Sequence, residues 1–475
     1  MATPIMFLGP IVGGLSHNSV NIWARADAPS TLHVWLARHP NFNDAELIGE
    51  TELSADDGFA GIVPITNLSP QTQYHYAVSL HKTKPPHTEF YSFTTFPEPS
   101  TTRSFNFLFG SCYLPEGEQG SLTFNEIHNH IEPDNLRFGL FLGDQIYADD
   151  AEHNGLGKIA VTLDEYRSVY ASAWTRPPIQ KLLPDLPLFM ILDDHEVEDD
   201  WHWDDTDRIL SSIPLHNQIL RQLKRTPSEQ RELTKERVRA ALKAYYEHQA
   251  MHAPKPLSPP QMDTHGLYKF SPDDEGTFAY TITFGNTAFF VLDTRTMRVK
   301  KGRNLLLGET QWKQLEDWFL DVKDKYPVKF LVSSGTILFP FLFDLVRDRW
   351  SGFRSERERL FKFLAENEIE GVHILTGDLH TAHCVSAEIK CPSGKHIPIW
   401  EFCSSPFEQK SKWITTTYVP IFSKWLRRQK KHYHQLGRNF GIVHVDFEGV
   451  TPRVTFTLHY NDNGWKAHTT IIEQN

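Results

Sequence analysis

Six apolar runs in this chain break off at residues able to bind ions or protons. "FNFLFGSC" ends at Cys112, "RFGLFLGDQIYADD" at Asp144, Tyr147, Asp149 and Asp150, and "LPLFMILDDHE" at Asp193 to Glu196. "AFFVLDTR" ends at Asp293 and Arg295, "KFLVSSGT" at Ser333 and Ser334, and "GVHILTGDLHTAH" at Asp378, His380 and His383. Short apolar runs of this kind read as buried strands. Between them lie helical stretches such as "EQRELTKERVRAALKAYYEHQAMH" and "GETQWKQLEDWFLDVKDKY", and that alternation signals an α/β fold. Ligands of α/β sheets gather at the carboxyl ends of the strands. One polar strand end means little, but six predict a composite site on a shared rim.

Residues 1–98 have a different rhythm. "SVNIWARA", "TLHVWLAR", "YHYAVSL" and "EFYSFTTF" show partial period-two alternation and are separated by turn-rich pieces such as "ADDGFAG". About seven short strands in a hundred residues suit an all-β, fibronectin type III or immunoglobulin-like sandwich. "FPEPSTTR", at Phe96 to Arg103, interrupts the pattern with prolines and small polar residues and marks the boundary. The expected division is a sandwich over 1–98 and a catalytic domain over 103–475. No ligand-like cluster occurs in the sandwich, so packing or steering is its expected role.

Behind the third apolar run stand Asp193, Asp194, Glu196, Glu198, Asp199 and Asp200, six carboxylates in eight positions. Two carboxylates about 4 Å apart repel by ~4 kcal/mol at an effective dielectric near 20. They must take up protons, spread into solvent or hold a cation. The thiol, phenol and imidazole groups at the other strand ends favour the cation. Aspartate, phenolate and thiolate balance a ferric ion, and carboxylate with imidazole suits a divalent ion beside it. A net charge of −11 argues against general nucleic-acid binding. The start, "MATPIMFLGPIVGG", has no basic n-region or twin arginine, and four cysteines in 475 residues are no disulfide framework. Cytoplasmic location is the expectation. The longest apolar stretch, "TILFPFLFDLV", is too short for a transmembrane segment.

"GDQIY", "DDHE", "LDTR" and "TGDLH", preceded by "GSC", resemble the PhoD-like alkaline phosphatase family of the metallophosphoesterase group. The resemblance runs from about Phe105 to the C-terminus. It implies a metallophosphoesterase-like αββα sandwich, two mixed sheets flanked by helices, behind a fibronectin-like domain. It also implies that Asp144 bridges two metals, that Tyr147 and Cys112 bind iron, and that Asp194 binds the second metal. Asp378 and His380 are further ligand candidates, and His195 faces the substrate phosphate or leaving group. Arg295 is expected either to bind phosphate or to form a structural ion pair. His383 is expected to be either a ligand or the support of one. The implied cofactors are ferric iron and calcium, with another divalent metal as the alternative at the second site. Asp149, Asp199 and Asp200 are weaker candidates for an additional calcium.

The expected activity is hydrolysis of a phosphomonoester or phosphodiester, with a metal-bound hydroxide attacking phosphorus in line with the leaving oxygen. The partner is then a small phosphorylated substrate. Two other classes compete: a calcium-binding interaction protein with a non-catalytic phosphatase-like domain, and a non-haem iron oxidoreductase. The anionic ligand set weighs against the latter, since such iron sites commonly use two histidines and one carboxylate. The basic segment "KWLRRQKKHYHQLGR", Lys424 to Arg438, reads as a solvated helix face, with peripheral contact to an anionic surface as the alternative.

Overall fold

The computed structural model describes residues 3–85, 90–116, 122–203, 233–264, 266, 269, 276–299, 305–339, 349–411 and 418–473. The first seven strands are β1 (Met6–Gly13), β2 (Ser19–Ala26), β3 (Ser30–Ala37), β4 (Glu46–Leu53), β5 (Ala60–Thr66), β6 (Gln73–Ser79) and β7 (Tyr91–Thr94). They form two antiparallel sheets, of order β1-β2-β5 and β4-β3-β6-β7. Alternation fixes the register: Ile22, Val34 and Tyr76 turn inward and are fully buried. The "ADDGFAG" turn is a short 3-10 segment closed by Gly58 in the left-handed region, at φ 62°.

Thirteen further strands among the described residues make two mixed sheets. They are β8 (Phe105–Gly110), β9 (Leu136–Leu142), β10 (Leu188–Ile191), β11 (Tyr280–Phe284), β12 (Thr287–Val291), β13 (Val328–Val332) and β14 (Val372–Thr376), followed by β15 (Ala382–Lys390), β16 (His396–Cys403), β17 (Leu426–Gln435), β18 (Asn439–Asp446), β19 (Arg453–Asn461) and β20 (Trp465–Glu473). One sheet runs β10-β9-β8-β18-β19-β20 and the other β11-β12-β13-β14-β16-β15-β17. The sheets pack face to face through aromatic rings. Phe107 meets Phe289 and Phe330 edge-on at 5.4 and 5.2 Å, and Phe402 stacks on Phe456 at 4.5 Å.

Leu331, next to Phe330, turns the other way and joins Trp312, Leu315 and Phe319 of the helix Gly308–Val322 and Leu360 and Leu364 of the helix Arg354–Glu366. Burial on both faces is why these strands read as unbroken apolar runs. The helix Leu122–Ile131 places Phe124 and Ile127 in the core of the other sheet. The fold is thus the αββα arrangement expected, behind a β-sandwich.

The sandwich is tied to the rest by buried polar contacts. Trp23 Nε1 donates to the Glu247 carbonyl at 2.9 Å, and Tyr76 OH to the Pro184 carbonyl at 3.1 Å. Arg25 Nη1 lies 3.1 Å from His248 Nε2, and Lys243 pairs with Asp57.

One element differs from its expectation. The basic segment forms the edge strand β17 rather than a helix, because it pairs antiparallel with β15, Cys384 opposite Tyr433 and His383 opposite His434. Basic side chains on an edge strand discourage further strand pairing. All four cysteines are free thiols. Among the described residues, no helix is long and apolar enough to cross a membrane.

Candidate metal centre

The parallel strands β8, β9, β10, β12, β13 and β14 bring their carboxyl ends to one place. Cys112 lies two residues past β8, Asp144 two past β9, and Asp378 and His380 just past β14. These four residues have φ of 64°, 55°, 68° and 53°. Left-handed backbone costs a non-glycine residue about 1–3 kcal/mol and persists only where the surroundings enforce it. Two glycines make the close approach possible. At Gly143, with φ +93°, a Cβ would stand 2.3 Å from the Asp193 Cβ, and at Gly377 it would stand 2.3 Å from Ser111 Oγ.

Cys112 Sγ donates to Asp144 Oδ2 at 3.2 Å, and Tyr147 OH donates to the same oxygen at 3.5 Å while lying 2.9 Å from His380 Nε2. Four groups of three residues have ligand atoms all within 4.8 Å of one another: Cys112, Asp144 and His380; Asp144, Asp194 and His195; Asp144, Asp193 and Asp378; and Asp194, Asp199 and Asp200. Asp144 belongs to three of them. All of Cys112, Asp144, Tyr147, Asp194 and His380 are buried.

Burial sets the electrostatics. It pushes the Asp144 carboxyl well above the usual range, with Cys112, Asp194, Asp193 and Glu196 adding to the shift. Burial, and then the Asp378 charge, takes the Cys112 thiol up to about 11, and burial also pushes the Tyr147 phenol well above its ordinary value. Such a pocket resists negative charge unless a cation supplies the balance. Thiol, phenol, imidazole and several carboxylates on one point therefore fit a metal pair.

The six carboxylates behind β10 divide. Glu196, fully buried, accepts the backbone N–H of Asp144, Gln145 and Asp193 at 3.1, 2.7 and 3.1 Å and the Gln249 amide at 3.1 Å. Asp193 accepts from Arg295 Nε at 2.5 Å and Ser334 Oγ at 2.9 Å. Glu198 pairs with Arg237 at 2.7 Å. Asp194, Asp199 and Asp200 form a candidate ligand group of their own, and Asp193, although paired with Arg295, also groups with Asp144 and Asp378. Glu196 and Glu198 are therefore internal scaffolding, a division invisible in the sequence.

Arg295 lies between two carboxylates. It is 1 % exposed and also lies 3.4 Å from Asp194 Oδ1, so its charge is spent between two carboxylates. The ion pair, one of the two expected alternatives, is present with both Asp193 and Asp194. His195 keeps a 13 % exposed side chain; its ring lies 4.1 Å from that of Tyr147, and Nδ1 lies 2.8 Å from Asp149 Oδ1. Burial opposes its protonation, but Asp149 and Asp194 outweigh this and raise it to about 10. Asp149 also accepts the Asp199 N–H at 3.0 Å, which makes it a holder of the His195 loop. His383 stands outside the ligand groups, 3.0 Å from Glu401 and stacked on Phe339.

Three contributors were missed. Ser405 donates to Cys112 Sγ at 3.2 Å and accepts the His380 N–H at 3.0 Å. It follows β16, so the strand-end rule applied to "EFCSSPF" would have found it. Arg349 donates to Asp378 Oδ2 at 2.7 Å, and Gln249 reaches Glu196; neither carries a local signal.

The model of the PhoD-like phosphatases matches residues 107–456. Alkaline phosphatase D of Bacillus subtilis (strain 168) is 25 % identical over 325 residues, which are 61 % of this chain and 48 % of that protein. The chain thus spans about half the length of that curated relative. Among solved structures, that of PhoD superposes with a TM-score of 0.72 at 18 % identity, over 98 % of this chain and 90 % of that one. A purple acid phosphatase of yellow lupin (Lupinus luteus) seeds superposes with a TM-score of 0.59 at 11 % identity, over 98 % and 74 %. At these identities the two structures establish the fold. A family model that covers nearly three-quarters of the chain, strand ends included, establishes the lineage: this chain belongs to the PhoD-like phosphatase family.

Proposed function

We propose that the protein is a metal-dependent phosphoric-ester hydrolase acting on small phosphomonoesters or phosphodiesters. The observation that carries this reading is the buried meeting of Cys112, Asp144, Tyr147, Asp194 and His380 at one rim. Asp144 would be shared by two ions. Cys112, Tyr147 and His380 would complete a ferric site, and Asp194 and Asp378 a site for calcium or another divalent ion. When bound, such cations draw charge from the phosphoryl oxygens and make the nucleophile available at neutral pH.

The chain's own residues then supply position and protons. Asp149 holds the His195 ring, and the raised affinity of that ring for protons suits it to protonating the leaving oxygen. Arg295 and Ser334 fix Asp193, and Glu196 clamps the backbone that carries Asp144. The division into a sandwich over 1–98 and a catalytic unit over 103–475 is part of the same proposal, supported by the pairing of β1–β7 only with one another. A cytoplasmic setting is proposed as well, in keeping with four free thiols.

The test is hydrolysis of a chromogenic monoester and a chromogenic diester by metal-replete protein, before and after chelation. Turnover lost on chelation and a visible absorption band from the thiolate or phenolate would support the reading. Metal-loaded protein that turns over neither substrate would overturn it and leave the calcium-binding alternative.

A further inference from the structure

A cavity of about 290 Å³ lies where β13 and β14 begin, at the opposite ends of these strands from the metal centre. Lys329 is the second residue of β13 and His373 the second of β14, whereas Ser334 and Asp378 follow the far ends of the same strands. Five residues of strand separate the two regions by about 15 Å. In a protein of net charge −11 the lining is cationic: Lys323, Lys329 and Lys395 against Glu370 alone among the carboxylates.

Lys329 is 1 % exposed. Its Nζ donates to the carbonyls of Tyr326 at 2.5 Å and Glu370 at 3.1 Å, which leaves its third N–H for another acceptor. Neutral carbonyls do not compensate a buried charge, and burial lowers the ammonium to about 8 although Asp324 and Glu370 oppose the shift. At the mouth, Lys395 pairs with Glu370. Trp400, Pro327 and Pro398 make an apolar wall, and Trp400 is backed by the stacked His432 ring at 4.6 Å.

We propose that this cavity binds a small phosphorylated anion, its charge on Lys329 and Lys323 and a compact apolar or aromatic portion against Trp400. Lysines are point charges that suit a phosphate without fixing its orientation. The volume is of the size that takes a small ligand. None of the candidate ligands of the metal centre lines this site.

The probe is phenylphosphonate, whose carbon–phosphorus bond resists hydrolysis. Equilibrium dialysis of metal-replete, full-length protein counts its sites per chain. Lys329→Met is expected to lose one site, and Lys323→Glu to weaken that site by about tenfold or more, the effect of reversing one short-range charge. Chromogenic turnover should stay at the level of the unmodified protein in both. Should Lys329→Met fold poorly, Lys323→Glu, at a partly exposed position, decides alone. Site number and affinity identical in the unmodified protein and the variants would overturn the proposal, whatever the outcome at the metal centre.

Discussion

Replacing Glu196 by glutamine changes one atom and almost no volume, yet it should disable the frame of the metal centre. Oε2 accepts the N–H groups of Asp144 and Asp193, both at 3.1 Å, and Oε1 accepts that of Gln145 at 2.7 Å and the Gln249 amide at 3.1 Å. Whichever way the new amide is turned, its NH₂ faces two donors. Two hydrogen bonds to a charged acceptor are lost, at about 1.5–3 kcal/mol each, so the cost is about 3–6 kcal/mol. Loss of a negative charge beside Asp144 offsets part of this, but Glu196 is the smallest of the named charges acting on Asp144. With cations bound the offset shrinks further. Thermal melting of metal-replete Glu196→Gln should show a midpoint lower by several degrees, and elemental analysis should show reduced metal content. Unchanged melting together with unchanged metal content would refute the claim that Glu196 holds the Asp144 and Asp193 backbones in place.

Arg295→Met should destabilise the protein by about 3–5 kcal/mol in chemical denaturation, because it leaves Asp193 buried without its counter-charge; a stable variant with only a raised KM would favour the phosphate-binding role. Gly143→Ala should abolish metal binding, since its Cβ would overlap that of Asp193 at a backbone angle alanine resists; full metal content in that variant would contradict the packing. In metal-free protein, His195 is raised from its ordinary 6.5 to about 10. Its contribution to stability is therefore complete below pH 6.5 and lost as pH rises towards 10. The difference in unfolding free energy between the protein and His195→Asn should shrink across that window, and a flat difference would show that Asp149 does not hold a charged ring. Cys112→Ala and Tyr147→Phe should each change the visible absorption of the iron-loaded protein, removing the thiolate and the phenolate contribution respectively; spectra identical to that of the unmodified protein would show that neither group binds the iron.

The sequence by itself determined what is local. Strand and helix positions followed from the period of apolar residues, and "SVNIWARA" coincides with β2. The carboxyl-end rule located the rim because a strand's last residues must turn out of the sheet wherever the sheet lies. Tertiary structure alone decided which carboxylates face ions and which are consumed inside. Asp194 and Glu196 stand two apart in the chain, yet Glu196 is held by the backbone N–H groups of Asp144 and Gln145, 52 and 51 residues away, while Asp194 groups with candidate ion ligands. The basic segment became a strand for the same reason: its hydrogen bonds close on β15, about fifty residues earlier. Hydrophobic periodicity is a property of adjacent residues, whereas the fate of a buried charge depends on which distant partner the fold sets beside it.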